Sequence, residues 1–171
     1  MAVEPLTRLG HLTRRFCATL NGRVRPGELD RVGSVLSPNQ WLLFRRLREG
    51  DQRHSLDLYE RLLADGHEQP DLLQAALLHD VGKAFGPLPI GYRVIYGLSA
   101  LLDRRLAAWL AQTDRPGWRR PFYLAARHPE VGADAAEAAG SNPIVVRLIR
   151  EHQFPGDDEL SQLLHRYDEA M

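Results

Sequence analysis

Apolar residues recur three and four positions apart along most of this chain, and this spacing predicts amphipathic helices. The leucines between Leu6 and Leu20, together with Phe16, follow it, so the first segment is predicted to be one helix. Proline and glycine mark later boundaries, since proline suits the first turn of a helix and glycine its end. The later predicted helices cover approximately residues 38–50, 52–65, 70–82, 91–112, 130–139, 143–154 and 158–170, with a short segment at 122–127.

No segment alternates apolar and polar residues in the way that a half-buried strand does. The predicted fold class is therefore an all-α helical bundle of about eight helices. Residues 1–50 are predicted to form an N-terminal helical appendage that packs on the core, and residues 51–171 to form the main domain.

The composition is that of an ordinary globular domain. Of 171 residues, 44% are hydrophobic and 26% are charged, close to the average for soluble proteins. The formal net charge is zero, so no overall basic field favours a nucleic-acid polymer or a membrane as partner. The first residues lack a signal-peptide pattern, and no apolar stretch reaches the ~20 residues of a membrane-spanning helix. We therefore expect a cytoplasmic protein, of undetermined oligomeric state.

The most informative segment is residues 75–83, where an apolar helical run ends in His79-Asp80. Lys83 follows three residues after the aspartate and is the single lysine among 22 Lys and Arg residues. Imidazole and carboxylate groups are ligands of divalent cations, and a flexible ammonium group suits a phosphoryl oxygen. The segment therefore predicts a site for a metal ion and a phosphate. The competing interpretation of Lys83 is a basic residue that complements the helix dipole.

Other histidines and aspartates also lie near predicted helix ends. Side chains from different helices can converge on one point inside a bundle. The order of these residues along the chain is His54, His79, Asp80, His128, His152 and Asp168.

This order resembles that of the HD-domain superfamily of metal-dependent phosphohydrolases, and two local motifs resemble its HDIG branch. Residues 79–83 read His-Asp-Val-Gly-Lys where that branch has His-Asp-Ile-Gly-Lys, and residues 128–133 match its His-Pro-x-x-Gly-Ala segment. The resemblance covers about Asp51 to Asp168 and implies an HD-domain fold. It also implies hydrolysis of a phosphomonoester or phosphodiester, in a nucleotide or similar small molecule, at a two-metal site.

The resemblance further implies a role for each matching residue. His54, His79, Asp80 and Asp168 match the ligands of a first divalent cation, and His128 and His152 match ligands of a second. Asp80 would bridge the two cations, which are expected to be Mn, Fe, Co, Zn or Mg. Two cations about 3.5–4 Å apart can activate water and stabilise the leaving oxygen. Asp80 and Lys83 are the expected catalytic residues, with Lys83 holding the phosphoryl group.

Alternatives remain open at this point. A similar six-ligand set occurs in HD-fold di-iron oxygenases, and an HD module can also bind a nucleotide or a protein without catalysis. Gln153 stands where the HD-GYP phosphodiesterases have a second histidine, which argues against a third metal. Asp157 and Asp158 compete with Asp168 as the last ligand, although Asp158 better suits a helix N-cap. His165 is a candidate partner behind the ligands.

Two arginine-bearing features are also candidates for substrate contact. Loop 115–123 combines arginines with Trp118 and Phe122. It either grips a nucleotide or is a surface loop that these two aromatic side chains anchor. Arg53, next to His54, is a candidate substrate contact because a guanidinium group binds phosphate well.

Overall fold

Nine α-helices and one short 3-10 turn make up the described part of the chain, residues 22–171, in a computed structural model. The helix predicted for residues 6–20 lies outside this range. The elements are α1 Pro26–Val35, α2 Pro38–Arg45, α3 Glu49–Ala64, α4 Pro70–Leu78, the 3-10 turn Val81–Ala84, α5 Ile90–Leu102, α6 Arg104–Leu110, α7 Arg120–Ala138, α8 Pro143–Glu151 and α9 Glu159–Ala170. No strand occurs among residues 22–171, and the expected all-α bundle of about eight helices is confirmed.

Helix α4 lies at the centre of the main core. Leu72, Leu77 and Leu78 on this helix are fully buried. A helix that is apolar on every side needs neighbours on every side, and α4 packs against α1, α2, α3, α8 and α9. Each buried leucine contributes about 1.5–3 kcal/mol. Because α4 ends at Leu78, the core itself fixes the position of His79-Asp80.

Helices α1 and α2 share this core. Val32 and Phe44 are fully buried and belong to the same hydrophobic cluster as α4. An ion pair also links α1 to α3, since Arg53 donates to Glu28 at 2.7 Å. Residues 26–45 therefore pack directly against the helices that carry the predicted ligands.

Two glycines let the 3-10 turn lie directly against α7. A Cβ on Gly82 would collide with the carbonyl oxygen of His128 and lie 2.8 Å from the amide nitrogen of Gly132. A Cβ on Gly132 would in turn lie 3.0 Å from the amide nitrogen of Gly82. Backbone packs on backbone here, which requires residues without side chains. This contact brings Asp80 and His128 to the same side of the core.

Some predicted helix boundaries are wrong. The helix predicted over 91–112 is two helices, because Asp103 is extended and its carboxylate accepts a hydrogen bond from the amide of Arg105 at 2.7 Å, which caps α6. The segment 122–127 and the helix 130–139 are one helix, α7, which continues through Pro129. The helix predicted to reach Gly50 ends at Arg45, and α3 begins at Glu49.

Helix α5 connects α6 to the rest of the bundle, because α5 packs on α7 and α6 packs on α5. Tyr92 and Tyr96 of α5 pack on Leu88 and Leu124, in a small apolar cluster separate from the main core. α5 also contacts α7 and α6 along its length. Within residues 22–171, α5 included, every helix is too short or too polar to cross a bilayer.

Candidate metal centre

The six predicted ligands meet in one buried space, although they come from different parts of the chain. The structure brings together His54, His79, Asp80, His128, His152 and Asp168. All of them are buried except His54, which is partly exposed at the edge of the site. Buried histidine and aspartate side chains need partners, so a cluster of six requires an explanation from its geometry.

The six residues form two groups of three. In one group, the candidate ligand atoms of His54, His79 and Asp168 lie within 4.8 Å of one another, and in the other those of Asp80, His128 and His152 do. Each group could hold a metal ion.

Asp80 lies between the two groups. Its Oδ2 is 3.4 Å from Nε2 of His79. Its Oδ1 is 3.3 Å from Nε2 of His128 and 3.9 Å from Nε2 of His152. One carboxylate therefore faces both groups, with a different oxygen toward each.

Helix ends orient two of the histidines. Nδ1 of His79 donates to the carbonyl of Ala76 at 2.9 Å, and Nδ1 of His152 donates to that of Ile149 at 2.7 Å. Both histidines cap the C-terminus of a helix, α4 and α8, where the last carbonyls lack backbone donors. In the neutral ring, the proton is then on Nδ1 and the lone pair of Nε2 faces Asp80.

His128 has the same orientation in the middle of α7. Pro129 has no amide hydrogen, so the carbonyl of Ala125 loses its helical partner. Nδ1 of His128 donates to this carbonyl at 2.9 Å. The His-Pro pair thus turns Nε2 of His128 toward Asp80 and leaves no buried carbonyl unpaired.

Lys83 forms an ion pair with Asp80, with Nζ donating to Oδ2. Burial alone would raise the pKa of Asp80. The Lys83 ammonium is the largest influence in the opposite direction, and the pKa of Asp80 lies well below its ordinary value. The Asp80 carboxylate is therefore ionised, and Lys83 contacts this candidate ligand itself.

The buried histidines differ in their affinity for a proton. Burial, together with the nearby His79 and His128, lowers the pKa of His152 to about 3. Burial also lowers the pKa of His128. Burial acts in the same direction on His79, but the carboxylates of Asp80 and Asp168 outweigh it and raise its pKa. His128 and His152 therefore stay neutral at pH 7, as a metal ligand must be.

Nε2 of His79 is a buried polar atom without a hydrogen-bond partner in residues 22–171. It lies 3.4 Å from Oδ2 of Asp80 and 3.6 Å from Oδ1 of Asp168. Nε2 of His54 donates to Oδ1 of Asp168 at 2.8 Å. An unpaired buried polar atom costs about 1–3 kcal/mol. A divalent cation among these nitrogen and oxygen donors would remove that cost, so the residues fit a metal.

Asp157 and Asp158, the alternatives to Asp168 as the last ligand, lie outside the site. Asp158 caps α9 by accepting a hydrogen bond from the amide of Ser161 at 3.0 Å, and it pairs with Arg147 at 3.0 Å. Asp157 is exposed. Asp168 is therefore the late aspartate that the fold places in the site.

His165 and Arg53, which were also candidates, make structural contacts near the site. Nδ1 of His165 donates to the backbone carbonyl of His152 at 2.7 Å, so it supports a ligand from behind. Arg53 binds Glu28 at 2.7 Å and Asp57 at 2.8 Å, which ties it to a network between α1 and α3.

Loop 115–123 is anchored on the helices that flank it. The guanidinium of Arg119 stacks on the ring of Trp109 at 4.3 Å and donates to the carbonyl of the same residue. Trp118 meets the edge of Phe122 with ring centroids 6.2 Å apart. This arrangement corresponds to the anchored surface loop, one of the two interpretations offered by the sequence, although Trp118 itself stays exposed.

Arg93 of α5 is a residue near the site that was not among the sequence-based candidates. Its two terminal nitrogens donate to the carboxylate of Asp51 at 2.6 and 2.8 Å, and Asp51 lies one turn before His54 on α3. Burial would lower the pKa of Arg93, but the carboxylates of Asp51 and Asp80 raise it. Nε of Arg93 is buried and has no partner among the described residues. The sequence signal that could have identified Arg93 was its position as the single basic residue in the apolar stretch 88–102.

Gln153 also reaches the site unexpectedly. Its side-chain amide lies 3.3 Å from Nε2 of His128, on the lone pair that a metal would use. The residue that replaces the second histidine of the HD-GYP motif therefore contacts a candidate ligand.

No protein-family model, curated protein or solved structure matches this chain. The resemblance to the HD-domain superfamily therefore rests on the sequence motifs, and membership stays a prediction. The structure independently brings buried histidine and aspartate groups together in a way that could hold a metal ion.

Proposed function

We propose that this protein is a metal-dependent phosphohydrolase acting on a phosphomonoester or phosphodiester in a nucleotide or similar small molecule. One observation carries the proposal: the two oxygens of buried Asp80 face two different groups of imidazole nitrogens. A carboxylate in that position can bridge two cations, and paired cations suit in-line displacement at phosphorus. The two HDIG-like motifs support the same reaction class.

In this proposal each group of three binds one cation, and Asp80 is shared between them. His54, His79 and Asp168 would hold the first cation together with Asp80, and His128 and His152 would hold the second, again with Asp80. When bound, the cations supply Lewis-acid activation of water and of the phosphoryl oxygen. The carbonyls behind the histidine Nδ1 atoms keep the rings in the required tautomer.

Lys83 supplies the cationic contact to the substrate. Its ammonium pairs with Oδ2 of Asp80, which is a candidate ligand atom. With a cation at Asp80 the ammonium would be able to move away, because its stem is flexible and its side chain is partly exposed. The freed group can then bind a phosphoryl oxygen and stabilise the charge that develops on it.

Substrate turnover tests the proposal directly. The protein, reconstituted in turn with Mn, Zn and Fe, would be assayed with nucleotide monoesters, dinucleotides and p-nitrophenyl phosphate. Release of phosphate or nucleotide that disappears with chelator is the expected result. Fully metal-loaded protein without phosphoester turnover would contradict the proposal. Oxygen uptake by the iron form without phosphate release would favour the oxygenase interpretation.

The variant Lys83→Ala separates substrate binding from metal binding. We expect unchanged metal content, together with a fall in kcat/KM of about 10- to 100-fold, because one stabilising contact to the phosphoryl group is lost. The exposed Arg166→Ala is the matched control and should leave kcat/KM unchanged. If kcat/KM is also unchanged in Lys83→Ala, Lys83 pairs with Asp80 but does not contact the substrate.

A further inference from the structure

The exposed apolar side chains of this protein are concentrated in one region. Of twelve large apolar side chains exposed in the described part of the chain, eight lie between Val94 and Trp118. Scattered exposed leucines need no explanation, whereas a contiguous apolar patch marks an interaction surface.

These side chains lie on two helices that pack on each other and on the loop that follows them. Ile95, Leu98 and Leu102 recur three and four residues apart, which places them on one face of α5. Leu106 and Trp109 have the same spacing on α6, which packs on α5. The rings of Trp109 and Trp118 lie 6.1 Å apart, which extends the surface into the loop. We call these six residues the α5–α6 patch.

The segment that carries the patch is also basic. Residues 86–127 contain seven arginines and two aspartates. Arg93 and Arg127 pair with carboxylates outside the segment, which leaves an excess of three positive charges in a chain whose formal net charge is zero. Arg104, Arg105 and Arg115 are exposed, and their side chains take part in no ion pair with another residue of the range 22–171. The chain therefore carries a local excess of positive charge beside the apolar residues, although its net charge is zero.

We propose that the α5–α6 patch docks this protein on an anionic membrane surface. Leucine, isoleucine and tryptophan side chains flanked by arginines suit the boundary between acyl chains and anionic headgroups. A second copy of the chain would bring the same positive field to the contact. A nucleic acid would use the arginines and tryptophans but leave the aliphatic residues in water.

This proposal goes beyond the proposed phosphohydrolase function and does not depend on it. It replaces the expectation, drawn from the zero net charge, that a membrane is not a partner. Association at the surface needs no spanning helix, because an amphipathic face can insert its apolar residues between headgroups.

Vesicle co-sedimentation of the full chain tests the docking. Vesicles of phosphatidylcholine alone would be compared with vesicles that also contain phosphatidylglycerol, at low and high salt. We expect at least about tenfold tighter binding to the anionic vesicles, weakened by salt. Two of the three tryptophans lie in the patch, so their fluorescence should shift to the blue on binding.

Variants assign the binding to the patch. Leu102→Ser should weaken vesicle binding about tenfold, and Arg104→Gln with Arg105→Gln about 10- to 30-fold. The matched controls are Leu42→Ser, an exposed leucine on α2, and Arg166→Gln on α9, and both should bind like the unchanged protein. Circular dichroism of each variant checks that its helices are intact.

Three results would overturn the proposal. The first is equal binding to neutral and anionic vesicles, or none to either. The second is equal weakening by the control variants. The third is a dimer, seen by analytical ultracentrifugation, that dissociates in Leu102→Ser, since a second copy would then cover the patch.

Discussion

The candidate metal centre and the α5–α6 patch depart from the usual distribution of residues in opposite directions. Asp80 and His152 are ionisable and buried, whereas Leu102 and Trp118 are apolar and exposed. Buried polar groups and exposed apolar patches are the two informative exceptions to ordinary burial. The comparison teaches that the two regions present groups suited to different kinds of ligand. The enclosed site suits a small cation, and the open surface suits a broad anionic and apolar partner.

The two regions also differ in how firmly they are held. The metal-centre histidines are fixed by backbone carbonyls and by the contact between Gly82 and Gly132. The patch lies on α5, which packs on α7, and on α6, which packs on α5. Substitutions should therefore disturb stability and chemistry in the first region, and association alone in the second.

The largest effect is expected for Asp80→Ala. Because one carboxylate serves both groups of nitrogen donors, both cations should be lost together, with a fall in activity of more than about 10³-fold. Elemental analysis and phosphoester turnover would measure the two effects. Asp134→Ala, which changes an exposed carboxylate on α7, is the control. Full metal content in Asp80→Ala would break the assignment of this residue as the bridge.

A comparable structural effect is expected for Gly82→Ala. The new Cβ would collide with the carbonyl of His128 and separate the 3-10 turn from α7. The free energy of unfolding in urea should fall by about 3 kcal/mol. Gly33→Ala in α1 is the control, because its Cβ would meet no atom within 4 Å. This control should gain up to about 1 kcal/mol from helix propensity. Similar stabilities for the two variants would contradict the close contact.

His152 should make the metal-free protein sensitive to acid. Its pKa is about 3 in the folded chain against an ordinary 6.5. As pH falls below 6.5, the unfolded chain binds a proton that the folded chain does not, so the free energy of unfolding decreases. This contribution amounts to about 2 kcal/mol at pH 5. Denaturation in chelator at pH 5 and pH 7.5 should show a smaller pH effect in His152→Gln. The same pH effect in both proteins would mean that His152 is not buried as a neutral ring.

The smallest effect on stability is expected in the patch. Leu102 is 85% exposed, so Leu102→Ser should change the free energy of unfolding by less than about 0.5 kcal/mol. Leu77→Ser, at a fully buried position of α4, is the contrasting variant and should lose several times more. A large loss in Leu102→Ser would show that another part of the protein covers this residue.

Helix boundaries and buried helix faces that depend on nearby residues could be predicted from the sequence. Pro70 and Gly66 mark a helix start and end, and the periodic leucines between such marks indicate which face is buried. The convergence of the candidate ligands was predictable because His79-Asp80 and His128-Pro129 lie in recognisable local motifs. The glycines of both motifs had a further meaning, the approach of two backbones, that only the packing reveals.

Other features depend on capping and on tertiary contacts that the pattern of a single sequence does not reveal. The apolar period continues across Asp103, so nothing but its capping carboxylate indicates that α5 and α6 separate. Pro129 suggested a helix boundary. The helix continues instead, because the His128 side chain replaces the hydrogen bond that proline cannot make. Arg93 and Asp51 pair across 42 positions. An amphipathic helix has the same pattern whether its apolar face is covered or open, so the exposure of the patch was not predictable.

The most direct test of the central claim is elemental analysis of protein purified without chelators, counted as metal per chain. The account predicts about two equivalents of a transition metal, one for each group of three ligands. One equivalent or less, persisting after reconstitution with excess metal, would contradict the bridging role of Asp80 and the two-metal site built on it.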